Sequence, residues 1–449
     1  DKQTLDAASV SATGNPIVIK KDTIEYNASS FKTTENDVLE DLLKKLPGVE
    51  VSEDGTVTAN GQTISKITID GKTFFLDDPQ LASKNIPAKI IDKVKVVEKK
   101  SEQAEFTGID DGNDETIIDL SIQKGMMNGL FGNVMAGAGH DVRKQVSGSE
   151  LSSGNGDWRY QGAGFLGRFT DKNQLSVVIN GNNTNNRGFN DLAGSMMQGM
   201  RGGGGGMGRG SRGWGPGNGI TTSWMGGLNG NTSLFDGKMD LGGNYLYNNN
   251  GTYVEEESRK ITYLDDHNLI YNNKGSNTTN SDGHRFGVRL EHKFSENTSI
   301  LFQPQVSFGN GDFNEISEFS TLTERNGVTS QTNEGFTSNT GSNQNWKTNG
   351  FFLFRQKLGK AGRTLSFNAR YNFSGNDMDG FNQSLTRTFD EFETASDSII
   401  NQRYNQTQDS KSLSGRLTYT EPLGKGFFLE ANYEASWNRT SSRKNTFDS

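Results

Sequence analysis

An acidic cluster stands out among the residues that could bind a metal, at Asp110, Asp111, Asn113, Asp114 and Glu115. Carboxylate and amide oxygens are the ligands that Ca²⁺ prefers. The spacing does not match a twelve-residue calcium loop between two helices, and a polar turn between two folded segments explains the same residues. A Ca²⁺ site at Asp110, Asp111, Asn113 and Asp114 is therefore the weaker hypothesis.

The other residues that could do chemistry are sparse or scattered. The chain has no cysteine, which removes disulfides and thiolate sites and disfavours zinc. The four histidines, His140, His267, His284 and His292, show no spacing typical of a metal or catalytic site. No arrangement of a nucleophile and a base stands out. We predict that the protein is not an enzyme and has no cofactor.

A glycine run at Gly202–Gly206 has two possible explanations. It lacks the preceding strand, the following helix and the Lys-Ser/Thr ending of a phosphate-binding loop. Its methionine neighbours, Met196, Met197, Met200 and Met207, suit a soft metal. A flexible loop is the favoured interpretation.

The composition is unusual for a soluble protein of 449 residues, since only 31% are hydrophobic and 56 are glycine. Aromatic residues make up 10%, which argues against disorder. A β-barrel with a polar lumen needs apolar residues only at every second strand position, so it fits this composition. No apolar run is long enough for a transmembrane helix. The net charge of −8 gives no indication of a nucleic-acid partner.

The first part of the chain has a mixed α/β pattern that changes near Gly125. Thr34 and Asp37 predict a helix start, and Pro47-Gly48 predicts its end. Asp70-Gly71 is typical of a type I′ hairpin turn. The predicted apolar face of the helix consists of Val38, Leu39, Leu42, Leu43 and Leu46. We predict an N-terminal periplasmic segment over 1–17 and a small α+β domain over 18–125.

The remainder, 126–449, alternates like half-buried strands. Ile300, Phe302, Val306 and Phe308 share one face, and polar side chains share the other. We count about eleven strands, joined alternately by tight turns and by long polar loops. The predicted loops lie near 188–219, 257–275, 323–340 and 380–405.

An open sheet edge inside lipid would leave backbone groups without hydrogen bonds. About eleven strands are therefore expected to be the first half of a larger barrel, with further strands beyond Ser449. Export to the membrane likewise leads us to expect a leader upstream of Asp1.

Residues 18–125 resemble the plug of the TonB-dependent receptor superfamily, specifically its Bacteroidota outer-membrane β-barrel branch. The motif residues that carry the resemblance are Leu46, Pro47, Gly48, Val49, Asp70, Gly71, Phe106, Gly108, Asp110, Asp111 and Gly112. The resemblance implies an α+β plug followed by a transmembrane antiparallel β-barrel of about 22 strands in the full protein. No energy-coupling box is recognisable before the plug, and a C-terminal aromatic residue typical of a last barrel strand is missing.

The resemblance implies a bacterial outer-membrane location and a TonB-dependent receptor or transporter for an unknown nutrient, with the plug occluding the barrel. Outer-membrane lipids, the TonB energy-coupling complex, and a surface lipoprotein or other envelope protein are the partners it implies. The alternative is a structural barrel subunit of an assembly or secretion complex, without active transport.

Overall fold

The computed structural model describes residues 15–52, 55–75, 78–109, 112–123, 129–140, 158–170, 172–185, 219–390, 394–424 and 426–448. These residues form two compact units. The first contains the described residues up to Asn133 together with Phe165–Leu175, and the second contains Val134–Gly164 together with the described residues from Ser176 onward.

The first unit is built on a six-stranded mixed sheet and a small three-stranded sheet. The strands are β1 (Ile17–Ile19), β2 (Thr23–Asn27), β3 (Val49–Val51), β4 (Val57–Ala59), β5 (Gln62–Thr63), β6 (Lys66–Ile69), β7 (Lys72–Thr73), β8 (Ile91–Lys99) and β9 (Glu115–Ile122). The large sheet has the order β1-β2-β8-β9-β6-β7, and the small one has the order β3-β4-β5. β6 and β9 pair in parallel, whereas the pairs β1–β2, β2–β8, β8–β9, β6–β7, β3–β4 and β4–β5 are antiparallel.

The same unit contains three short helices: α1 (Leu39–Leu43), α2 (Pro79–Asn85) and α3 (Glu102–Thr107). Leu39, Leu42 and Leu43 are fully buried, as their spacing predicts. No helix among the described residues is long and apolar enough to cross a membrane.

One local prediction for this unit was wrong. The predicted helix from Thr34 to Leu46 shrinks to α1, because Asp41, not Asp37, caps it by accepting a hydrogen bond from the Val38 amide at 3.0 Å. Before it, β1 and β2 form a hairpin. α2 ends at Asn85, and Pro87 precedes a 3-10 turn at Ala88–Ile90.

The Asp70-Gly71 turn is confirmed. Ile69 pairs with Lys72, and both turn residues have positive φ, at 47° and 78°. That is the backbone a type I′ turn requires.

The second unit is dominated by a long antiparallel sheet. Its strands are β10 (Leu130–His140), β11 (Trp158–Phe169), β12 (Asn173–Asn182), β13 (Ile220–Leu234), β14 (Met239–Tyr263), β15 (Asn268–Lys293), β16 (Thr298–Arg325), β17 (Val328–Lys357), β18 (Thr364–Phe389), β19 (Ala395–Gly424) and β20 (Phe427–Asp448). They follow one another in sequence order, which confirms the predicted number of about eleven. β10 and β20 end the sheet, and among the described residues they do not pair with each other.

Three of the predicted long loops are strands, which corrects the sequence prediction. The stretch 257–275 is a paired hairpin turning at 264–267, and 323–340 is a paired hairpin turning at 326–327. The stretch 380–405 is paired on both sides of the connection after Phe389. These segments carry polar side chains on both faces, so they lack the apolar alternation from which strands are recognised, while backbone pairing continues. The predicted loop at 188–219 lies outside the described residues, apart from Gly219.

Candidate membrane-spanning face and motif residues

On the long sheet many apolar side chains are exposed and many polar side chains are buried, although some apolar ones such as Leu301 and Leu353 are buried as well. On β16, Phe302, Val306 and Phe308 are 38%, 43% and 45% exposed, whereas Ser307 on the opposite face is 7% exposed. Soluble proteins show the reverse arrangement. We call the side bearing Phe302 the apolar face and the side bearing Ser307 the polar face.

Strand pairing aligns the apolar side chains of neighbouring strands into one continuous surface. Leu290 pairs with Phe302 and Phe302 with Phe352, while Phe367 pairs with Leu417 and Leu417 with Tyr433. We call this surface the apolar belt; it comprises Phe286, Val288, Leu290, Ile300, Phe302, Pro304, Val306, Phe308, Phe352, Phe354, Phe367, Tyr371, Phe373, Leu413, Leu417, Tyr419, Leu429, Tyr433 and Trp437.

The belt has the height that a membrane requires. On β16 it extends from Ile300 to Phe308, and the same face then becomes polar at Asn310 and Asp312. A tilted strand crosses the hydrocarbon core in about 9–11 residues. Since β17 alone is 30 residues long, the strands continue well beyond the belt on the side away from the short turns.

A charged network occupies the polar face near the short turns. Arg355 donates to Glu291 Oε1 at 2.6 Å and to Ser299 Oγ at 2.9 Å. Arg289 donates to the other oxygen of Glu291 at 3.2 Å and to Gln303 at 3.4 Å. The Arg355 side chain is only 8% exposed, so its charge is neutralised by an ion pair and not by bulk solvent.

Amide and hydroxyl side chains dominate the rest of the buried polar face. Asn343 donates to Asn376 at 3.3 Å, and Ser223 donates to Asn250 at 3.0 Å. Such side chains interact with water or a polar solute and not with lipid tails. The polar face can therefore line an aqueous space, while the apolar belt faces lipid.

The first group of motif residues, Leu46-Pro47-Gly48-Val49, forms the end of the helical segment in the first unit. Leu46 and Val49 are buried. The Pro47 carbonyl accepts a hydrogen bond from Tyr26 Oη at 2.7 Å. Gly48 has φ of +78°, and a Cβ there would lie 2.8 Å from Asn60 Oδ1. The positive φ favours glycine at this position, whereas the Asn60 side chain could move aside.

The Asp70-Gly71 turn is stabilised by Asp119, a residue that is not one of the predicted motif residues. Asp119 accepts hydrogen bonds from Thr68 Oγ1 at 2.7 Å and from the Gly71 amide at 2.8 Å, and it pairs with Lys95 at 3.2 Å. Burial, followed by the nearby Asp119 charge, raises the pKa of Asp70. Next to the turn, Gln174 donates to the Ile69 carbonyl at 3.0 Å.

The last group of motif residues spans a helix end and the acidic cluster. Gly108 ends α3 in a left-handed conformation, with its amide donating to Ala104 O at 2.8 Å. Phe106 lies within α3, and Gly112 has φ of +68°. Asp110 and Asp111 lie outside the described residues. The Ca²⁺ hypothesis, which also needs Asn113 and Asp114, therefore stays a prediction.

His284 and His292 pack against aromatic side chains. His284 Nδ1 lies 2.9 Å from Tyr245 Oη, and its ring stacks on Phe308 at 5.1 Å. His292 packs edge-on against Phe294 at 4.5 Å. Within the described part of the chain, no group of three or more His, Cys, Asp or Glu residues could hold a metal ion. The glycine run and its methionines lie outside the described residues.

A family model described as the outer membrane protein beta-barrel family matches residues 356–449. The matched region contains β18, β19 and β20, which carry part of the apolar belt. The predicted location in the bacterial outer membrane is confirmed by this match. No curated protein matches the sequence.

Similar solved structures include the copper transporter OprC, with 10% identity over 96% of this chain and 83% of that chain, at a TM-score of 0.27. The ferric preacinetobactin receptor BauA from Acinetobacter baumannii is 8% identical over 97% of this chain and 76% of that chain, at a TM-score of 0.30. The alcaligin outer-membrane receptor FauA from Bordetella pertussis is 10% identical over 96% and 95%, at a TM-score of 0.25. These values are too low to assign a ligand or an activity to this chain.

Sequence reasoning missed the Glu291–Arg355 pair and the role of Asp119. The Glu291–Arg355 pair could have been found by pairing the strands residue by residue, starting from the short turn at Ser295–Asn297. This register places β15, which carries Glu291, and β17, which carries Arg355, on either side of β16. The second had no local signal, because Asp119 is far from Gly71 in sequence and reaches it only through the parallel pairing of β6 and β9.

Proposed function

We propose that the chain belongs to an outer-membrane receptor that takes up a nutrient by a TonB-dependent mechanism. Residues 18–125 would form the plug, and residues 126–449 the N-terminal half of the barrel. The observation that carries the proposal is the inverted polarity of the long sheet, in which Phe302 and Val306 are exposed while Ser307 and Asn343 are buried. A sheet of this kind encloses water in lipid, and a pore wider than its own side chains can fill needs a plug.

The motif residues of the first unit support the plug assignment. The left-handed Gly48 backbone and the Asp119-bound turn at Gly71 are specific local structures, and both coincide with the stretches that resemble TonB-dependent plugs. In this proposal the energy-coupling complex loosens the plug from the periplasmic side, and a ligand enters from outside. A surface lipoprotein is a further proposed partner.

Conductance in planar lipid bilayers tests the proposal. The complete protein should conduct ions poorly, whereas a variant lacking residues 15–123 should form a steady open pore, because the plug no longer occludes it. Heat-modifiable migration in gel electrophoresis would verify that the barrel of the deletion variant is folded.

Two results would contradict the proposal. Equal conductance of the complete protein and the folded deletion variant would show that residues 15–123 do not close a pore. A folded deletion variant that stays sealed, together with stable co-purification of other envelope proteins, would indicate a scaffolding role instead.

A further inference from the structure

Two cations flank one serine on the polar face of the long sheet. Arg285 of β15 and Lys347 of β17 are both register partners of Ser307 on β16, so all three side chains share that face. Neighbouring strands lie about 4.8 Å apart, which places the backbones of the two cations about 10 Å apart. Lys347 forms no ion pair or hydrogen bond with the described residues.

These cations lie at the level where the apolar belt ends. Ser307 directly precedes Phe308, the last belt residue of β16. The strands project beyond the belt on this side, and the projecting side faces the cell exterior when the short turns face the periplasm. The two cations therefore lie near the outer end of the membrane-spanning part, on the face that can line an aqueous space.

Two buried amides lie one register row further toward the projecting side. Asn248 of β14 and Asn345 of β17 belong to the same row, with Gly283 and Gly309 between them. Asn248 is 7% exposed and Asn345 is 5% exposed, and among the described residues neither Nδ2 atom has a hydrogen-bond partner. Buried donors are nearly always satisfied in folded proteins, so an acceptor is expected beside these two amides.

Glycine keeps the sheet surface between the two amides free of side chains. The backbones of Asn248 and Asn345 are three strand spacings apart, or about 14 Å. The Asn248 side chain lies toward Gly283, since a Cβ on that glycine would be 3.0 Å from Asn248 Oδ1. A solute lying over Gly283 and Gly309 would meet amide donors at both ends of the row and cations in the row beside it.

This part of the polar face carries no carboxylate. The positions compared are the polar-face residues of 242–250, 281–289, 303–311, 343–351 and 370–378, on β14 to β18. They include four cations, Arg285, Arg289, Lys347 and Arg370, and no Asp or Glu. Glu291, one row nearer the short turns, is paired with Arg289. The face therefore has a surplus of positive charge, although the net charge of the sequence is −8.

We propose that Arg285, Lys347, Asn248 and Asn345, here called the anion patch, bind the carboxylate or phosphate groups of a small anionic solute. The Arg285 guanidinium can contact two oxygens of one such group, and the Lys347 ammonium acts as a point charge on the other side of Ser307. The two amide Nδ2 atoms donate to further oxygens of the same solute. This inference rests on the proposed function, because it takes the polar face as the wall of a lumen, and it adds the substrate class.

Isothermal titration calorimetry of the complete protein in detergent tests the proposal, with citrate and pyrophosphate as probes. The wild type should bind at least one of these anions. The double variant Arg285→Gln, Lys347→Gln should bind that anion at least about tenfold more weakly, because charge-assisted hydrogen bonds are lost.

Two further variants separate charge at the anion patch from charge elsewhere. Arg285→Lys with Lys347→Arg keeps both charges in place and should restore the affinity to within about threefold of the wild type. The matched control, Arg259→Gln with Lys274→Gln, removes the same charge from exposed positions on the opposite face of β14 and β15. It should bind within about twofold of the wild type, since solvent and salt screen charges at that distance.

Three results would overturn the proposal: no binding of either anion to the wild type, equal affinity of the wild type and the folded double variant, or binding of the neutral polyol mannitol as tightly as citrate. Conductance separates these results from a failure of the proposed function. A sealed deletion variant contradicts plug closure without affecting probe binding. An open deletion variant, together with absent probe binding, contradicts the anion patch alone.

Discussion

Asp119 shows how a single side chain can organise a turn that lies far away in sequence. Its Oδ1 atom accepts from both Thr68 and Gly71, and Thr68 is only 4% exposed. A buried donor that loses its acceptor costs about 1–3 kcal/mol. The conformation of the Asp70-Gly71 turn is therefore stabilised by β9 as well as by local glycine geometry.

The variant Asp119→Ala should loosen this turn without unfolding the protein. Loss of the acceptor should lower the amide protection of residues 66–73 by about tenfold to a hundredfold, from the cost of an unpaired buried donor. Hydrogen exchange followed by mass spectrometry measures this change. Asp119→Asn, which keeps one oxygen acceptor, is the matched control and should retain most of the protection. Unchanged protection in the alanine variant would contradict the role assigned to Asp119.

The stability of the segment before α1 should depend on pH because of Asp37. Hydrogen bonds from Thr34 and then from Lys45 hold the pKa of Asp37 at about 2, below its ordinary value of 3.8. A carboxyl with a lowered pKa in the folded state stabilises the fold above pH 4, and this contribution is lost as the pH falls toward 2.

The segment 34–46 should therefore lose hydrogen-exchange protection between pH 5 and pH 2.5, after correction for intrinsic exchange rates. In Asp37→Asn this part of the pH dependence should be absent. Glu35→Gln, which removes a neighbouring exposed carboxylate, should keep it. The same acid response in Asp37→Asn as in the wild type would show that another group is responsible.

At the scale of elements, the apolar belt assigns opposite environments to adjacent residues of one strand. Val306 is 43% exposed on the apolar face, and Gln305 next to it lies on the polar face. An Arg on the lipid side costs about 2–4 kcal/mol at the membrane midplane and less toward the interfaces. Substitutions on the polar face avoid this cost.

Val306→Arg should lower the free energy of unfolding in liposomes by about 2 kcal/mol. Gln305→Arg is the matched control, since it places the same side chain one residue away on the opposite face and should cost far less. Urea titration of the liposome-inserted protein provides the measurement. Equal costs for the two variants would mean that the belt does not face lipid.

The sequence predicted those elements whose pattern is local. Alternation from Ile300 to Phe308 predicted a strand of the long sheet, and Asp70-Gly71 predicted the turn between β6 and β7. Both signals depend only on neighbouring residues. The projecting halves of the strands were mistaken for loops, since Glu318, Lys274 and Glu257, paired across three strands, are all polar and lack the apolar signal. Contacts made through strand register, such as Glu291 with Arg355, also require the fold to be known.

At the scale of the whole molecule, the asymmetry of the long sheet predicts its orientation. The turns at Asp236–Lys238 and Ser295–Asn297 lie next to the belt, whereas β16 and β17 meet at Asn326-Gly327, far beyond it. Short connections face the periplasm in outer-membrane proteins. The Asn326-Gly327 end should accordingly be at the cell surface.

Residues 1–449 contain no cysteine, so single cysteines introduced among them can report this orientation. Val328→Cys, at a position 71% exposed, should react with a membrane-impermeant maleimide on intact cells. Glu296→Cys, in a short turn, should react only after the outer membrane is permeabilised. Phe302→Cys in the belt should stay unreactive until the protein is denatured, because lipid covers it. Labelling of Glu296→Cys on intact cells, with Val328→Cys protected, would reverse the orientation.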